Sequence, residues 1–186
     1  MTRVALFGLL LLLPNMLWAG QWRQSGAGSL EFETSFEGVA IPGQFQKFET
    51  RLNFNPENLT EASIVVTVDI TATDMFDQEI NDEIAGPDWF DYASYPQATF
   101  NSTDFSALGS DSYLMRGELE LKGRRATLEI PFSWQVSEDT ARISGQFETN
   151  RTIFEIGSGE WLTSQTIGWL VKLKFEVGLD YVAPGD

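Results

Sequence analysis

"IGWLVKLKFEVGL", residues 167–179, decides the fold. Ile167, Trp169, Val171, Leu173, Phe175, Val177 and Leu179 occupy every second position, with Lys172, Lys174 and Glu176 among the residues between them. Apolar residues at period two line one face of a β-strand and leave the other to water. At ~3.3 Å per residue the run spans about 43 Å. A strand that tall favours a strongly coiled sheet that curls on itself.

The same period recurs upstream. "LEFETSFEG" puts Leu30, Phe32, Thr34 and Phe36 on one face against Glu31, Glu33, Ser35 and Glu37. "FQKFETRLNF" alternates through Phe48, Thr50, Leu52 and Phe54, but Phe45 is out of step, which predicts a bulge near Gln46-Lys47. "SIVVTVDIT" is β-branched on one side through Ile64, Val66, Val68 and Ile70. Four further runs carry Ala98 and Phe100; Tyr113, Met115, Leu119 and Leu121; Ala126, Leu128, Ile130, Phe132 and Trp134; and Ile143, Gly145, Phe147 and Thr149. Pro131 lies on the opposite face of its run and marks an edge or a bulge. The expectation is all-β, with eight antiparallel strands in a meander. Such a sheet becomes a sandwich or closes into a barrel that removes its edges. Residues 73–85 lose the alternation. There a short helix, capped by Asp74 or Asn81, should run through Ile84 and stop at Gly86-Pro87.

Composition narrows the chemistry. The 186 residues carry 27 acids against 12 bases, a net charge of −15, with no cysteine and no histidine. Such a surface repels phosphate backbones and excludes nucleic acid as a partner. The missing residue types exclude Ser-His-Asp and Cys-His nucleophiles and remove the usual zinc ligands, so neither metal nor cofactor is expected. At the start, Val4–Leu13 is an apolar run broken by Pro14, with small residues around Ala19. Residues 1–19 therefore read as a signal peptide, and 20–186 as one exported domain with no transmembrane segment. Oligomeric state stays open, a homodimer included.

"GPDWFDYASYPQATFNSTDF", residues 86–105, packs Trp89, Phe90, Tyr92, Tyr95, Phe100 and Phe105 between two strand-like runs. Together with Gly43–Phe48, the Phe54–Leu59 turn "FNPENL", the Gly117–Gly123 hairpin and "NRTIFEIGSGEW" from Asn150, it resembles the YceI-like family over residues Leu30–Tyr181. That resemblance implies a lipocalin-like antiparallel β-barrel with a hydrophobic interior, binding a polyisoprenoid or related amphiphile in the periplasm. Two positions depart from the family pattern. Ile80-Asn81-Asp82 stands near the place of a basic residue beside an aspartate, and a Gly-x-x-Arg-x-x-Phe is loosened to Asn150-Arg151-Thr152-Ile153-Phe154.

On this reading residues 75–92 form a helix and lid over one end of the barrel, with Asp88 and Asp91 capping nearby amides. The lining expected to touch an isoprenoid-like lipid is Phe32, Phe36, Phe48, Val66, Val68, Trp89, Phe90, Phe100, Met115, Phe132, Trp134, Phe147, Trp169, Val171 and Leu173. Small residues at inward positions, among them Thr34, Ser102, Gly117 and Gly145, leave room beside the bulky ones. The expected role is a non-enzymatic carrier or sequestering protein. Two alternatives remain: an acidic protein-binding or stress-response module, and a hydrolase using Asp88 and Asp91 as a carboxylate pair. Lys122-Gly123-Arg124-Arg125 reads as a hairpin turn.

Overall fold

The computed structural model describes residues 21–183, and the signal peptide expected at 1–19 lies outside them. Eleven strands form one sheet: β1 (Gln21–Gln24), β2 (Ser29–Phe36), β3 (Val39–Phe45), β4 (Phe48–Asn53), β5 (Ser63–Asp69), β6 (Thr73–Asp74), β7 (Gln97–Gly109), β8 (Ser112–Leu121), β9 (Arg124–Ser137), β10 (Thr140–Asn150) and β11 (Leu170–Val182). They make eight staves, because three staves are each broken once. β1 and β2 lie end to end along β11, β3 continues into β4, and β5 into β6. Every neighbouring pair is antiparallel, and β1 closes the ring by pairing with both β11 and β4. The fold is thus the closed eight-stranded antiparallel barrel with one short helix that the alternation and the resemblance indicate.

The breaks have local causes. Between β3 and β4 the backbone leaves the ladder at Gln46 and Lys47, whose N–H and C=O pair instead with Ala72 (3.1 Å) and Asp69 (2.9 Å). That slip accounts for Phe45 being out of step with Phe48. The Lys122-Gly123 turn joins β8 to β9 with both residues at positive φ (49° and 68°), the two-residue geometry that matches strand twist.

Helix α1 (Gln78–Ile84) is capped by Asp77, not by Asp74 or Asn81. The Asp77 carboxylate accepts from the amides of Glu79 (2.9 Å) and Ile80 (3.1 Å), the usual N-cap contacts. Asp74 instead accepts from the Phe76 amide, and Asn81 from the Met75 amide, both at 2.8 Å. The helix stops where expected, with Gly86 donating back to Glu83 at 3.0 Å.

Apolar clusters occupy both ends of the barrel. At one end Phe54 is ringed by Tyr113 (5.1 Å), Phe132 (5.5 Å) and Trp134 (5.0 Å), and Trp22 stands edge-on to Trp134 at 5.2 Å. At the other end Phe32, Ile70, Met75, Ile84, Phe90, Ala98, Phe154 and Ile156 form a second cluster under the helix and the loops beside it.

Candidate functional site

Between the two clusters lies a cavity of about 200 Å³ whose wall is almost wholly carbon. On β11 it is lined by Val171, Leu173, Phe175 and Val177, so it follows that strand for ~20 Å at ~3.3 Å per residue. The volume is only a little above the ~150 Å³ of an apolar cavity that takes a benzene-sized guest. A narrow bore of this length suits part of a linear hydrocarbon chain better than a compact ring system. No Asp or Glu is among its lining residues, and Arg151 is the one charged residue there.

Eleven of the fifteen lining residues expected from the sequence meet at this bore: Phe32, Phe48, Val66, Val68, Trp89, Phe90, Phe100, Met115, Phe147, Val171 and Leu173. The other four do not, and the expectation is corrected for each. Phe132 and Trp134 point inward but are consumed in the aromatic cluster around Phe54. Phe36 ends β2 at the rim, 38 % exposed. Trp169 precedes the first residue of β11, and its indole N–H turns outward to donate to the Leu162 carbonyl (2.9 Å), leaving the ring 47 % exposed.

The sequence assigns no role to Arg151. It is 4 % exposed and has no carboxylate within ion-pair distance among the described residues. Its Nε donates to Gly168 (2.9 Å), one terminal nitrogen to Ile156 (2.6 Å) and Gly157 (2.8 Å), and the other to Trp161 (2.6 Å) and Ile167 (3.0 Å), every acceptor being a backbone carbonyl. A guanidinium has five N–H donors, so all are spent. Burial pushes its pKa below the ordinary value. Its charge also sits 6.0 Å from the Trp89 ring centre, a cation–π contact that ties the loop to the end cluster. Gly157, at φ 69°, is required here: a Cβ would stand 2.4 Å from the guanidinium nitrogen. The signal in the sequence is an arginine close to Ile153, Phe154 and Ile156 in "NRTIFEIG", residues 150–157.

Neither Asp88 nor Asp91 lines the bore. Asp88 is exposed and accepts from the Ser158 hydroxyl (2.5 Å), a side-chain pairing that takes the place of the expected amide cap. The Lys122 ammonium donates to the Glu155 carbonyl (2.8 Å), fastening the β8–β9 turn to the same loop. Trp89 Nε1 and Thr34 Oγ1 are buried with no hydrogen-bond partner, and both residues line the bore.

One seam of the wall is incomplete. β9 and β10 pair from Ser137↔Thr140 only as far as Phe132↔Gly145, although β9 extends back to Arg124 and β10 on to Asn150. Each remains paired on its other side, to Leu121↔Arg124 on β8 and to Asn150↔Leu170 on β11. The ladder stops at a proline. The Pro131 carbonyl faces Gly145, where a Cβ would lie 2.4 Å from it. A strand residue presents its C=O and N–H to the same neighbour, so the donor Pro131 lacks is the one β10 would have used.

These features accompany a clear relationship. The family model for the YceI-like domain matches residues 25–179. The chain belongs to the YceI-like family. Curated relatives of this YceI-like chain include a UPF0312 protein of Vibrio cholerae, 31 % identical over 103 residues (55 % of this chain, 54 % of the relative), and one of Shewanella baltica, 28 % identical over 130 residues (68 % of each). The chain spans about half the length of the first of these. Among solved structures, BcnA of Burkholderia cenocepacia superposes with a TM-score of 0.78 at 30 % identity, covering 81 % of this chain and 95 % of BcnA. A polyisoprenoid-binding domain from Saccharophagus degradans shares the fold at a TM-score of 0.70 and 12 % identity, covering 87 % and 98 %.

Proposed function

We propose that this YceI-like protein is a non-enzymatic binder of an isoprenoid-like lipid, carrying or sequestering it in the periplasm with a length of its hydrocarbon chain in the bore. The observation that carries this reading is the carbon-walled cavity beside Val171–Val177, which holds no carboxylate among its lining residues and whose one cation has every donor occupied. The Saccharophagus domain, a polyisoprenoid binder with the same fold, supports it. Burial of each CH₂-sized unit is worth ~0.8 kcal/mol, so about ten carbons contribute ~8 kcal/mol before the cost of ordering the chain is subtracted. The head should be uncharged, because Arg151 has no donor left for an anion. An acceptor oxygen on that head would satisfy the Trp89 indole N–H.

Organic extraction of protein purified from the periplasm, followed by mass spectrometry, tests the reading. A neutral isoprenoid-type lipid in stoichiometric amount is expected. Failure of both the extracted and the reloaded protein to hold any apolar chain would refute it.

A further inference from the structure

We propose that the unzipped seam between β9 and β10 is a side doorway, through which the ligand's chain enters the bore and through which any length beyond the bore's capacity emerges. The inference rests on the lipid-chain reading above and extends it to a route. The aromatic cluster around Phe54 fills one end of the barrel, and at the other Ile84, Phe90 and Phe154 stand over the bore, so a ligand using either end must displace side chains. The seam asks for less. Above Phe132↔Gly145 no ladder joins the two strands, and the backbone there has no inter-strand bonds to break. A surface groove of about 460 Å³ lies over this gap, and Leu128, Phe147 and Thr149 line both the groove and the inner bore. These three residues stand between the groove and the bore. A second groove, of about 840 Å³, over β2, β3, β10 and β11 also shares Phe32, Phe147 and Leu173 with the bore, but the ladders beneath it run unbroken.

The outer lip fits the same ligand. Ile153 and Leu170 line the groove and are 51 % and 60 % exposed, an apolar step on its outer side. A chain longer than the ~20 Å bore has a surface to lie on as it leaves. Glu129 and Glu148 stand on the two banks of the groove, with Arg116 also in its lining.

The test bridges the gap. If the register continued, Glu129 and Glu148 would face each other, and the chain has no cysteine of its own. A Glu129→Cys/Glu148→Cys variant is compared before and after cross-linking with a short bis-maleimide, with all-trans-retinol, an isoprenoid alcohol, as the fluorescent probe in stopped flow. Cross-linking should slow both loading and release by about tenfold or more, as expected when a step must wait for another opening. An Asp88→Cys/Ser158→Cys disulfide, which ties the loops over the helix end and leaves the seam unbridged, should leave both rates unchanged. Unaltered loading after the seam is bridged, or slowing only when the loops are tied, overturns the doorway while leaving retinol binding intact. Absence of an equilibrium fluorescence change in the unlinked protein overturns the lipid-chain reading itself. Each protein serves as its own folding control, since only the cross-link differs.

Discussion

Arg151 shows how much one side chain can organise. Five carbonyls from a loop between Ile156 and Gly168 converge on it, and none has a strand partner to fall back on there. Arg151→Met should leave them unsatisfied in a buried site and cost roughly 3–5 kcal/mol, read as a lower midpoint in chemical denaturation. Arg151→Lys keeps the charge but offers three donors to five acceptors, so its loss should be smaller yet clear. A result equal to wild type for both variants would remove the guanidinium from any structural role. At the closed aromatic end, Phe54→Ala should cost about 3–5 kcal/mol and leave retinol affinity close to wild type, because Phe54 is fully buried and lies away from the bore. Residues of this kind are the least legible in sequence. Alternation assigns Phe132 and Trp134 to the same inward face as Leu128, and that is correct. Whether an inward side chain meets space or another ring depends on what several other staves deliver at the same height, and no local pattern encodes that.

At the scale of elements, the strands and the helix were readable because each has a local cause. Period-two alternation sets the face, Gln46-Lys47 the slip, and Gly86 the helix stop. The cap was misplaced because three Asx side chains, Asp74, Asp77 and Asn81, compete within eight residues, and geometry selects Asp77 for the helix while Asp74 takes the turn before it. Amides and carboxamides of Phe76, Asn81, Gln44 and Gln46 hold the Asp74 pKa below the ordinary 3.8, the Phe76 amide most strongly. A depressed carboxylate pKa contributes stability that is present above 3.8 and lost as pH falls through the lower, folded value. Hydrogen exchange at the Phe76 amide should therefore stay slow relative to its intrinsic rate at pH 3.8 and lose protection only as pH falls through the lower, folded value. Asp74→Asn should abolish that pH dependence. Gly145 belongs to this scale as well, wedged between Pro131 and the Phe175 ring, which a Cβ would approach to 2.4 and 2.7 Å. Gly145→Ala should cost about 1–3 kcal/mol by overpacking, measured as a fall in thermal midpoint.

For the molecule as a whole, the bore is the feature to fill. Val66 lines it from β5 at mid-height, opposite Phe100 on β7. Val66→Trp should occupy the space, reduce retinol affinity by about tenfold or more, and change stability little, since the added ring enters a void. Unchanged affinity with an unchanged melting temperature would mean that retinol does not use the bore. The closed barrel was foreseeable from eight alternating runs and a strand too tall for a flat sheet. The division into one end filled by aromatic rings and a hollow bore beyond it was not, because it is a property of summed side-chain volumes.

Ring closure carries a kinetic consequence. The seam made by β1 joins Gln21 to Val182 and Gln24 to Leu179, so the circle cannot be completed until nearly every residue between has taken its place. Contacts so far apart along the chain make for slow folding, on the order of milliseconds to seconds. Throughout that interval the first and last staves present bare, adhesive edges. Molecules crowded together at that moment face a choice between closing on themselves and pairing with a neighbour.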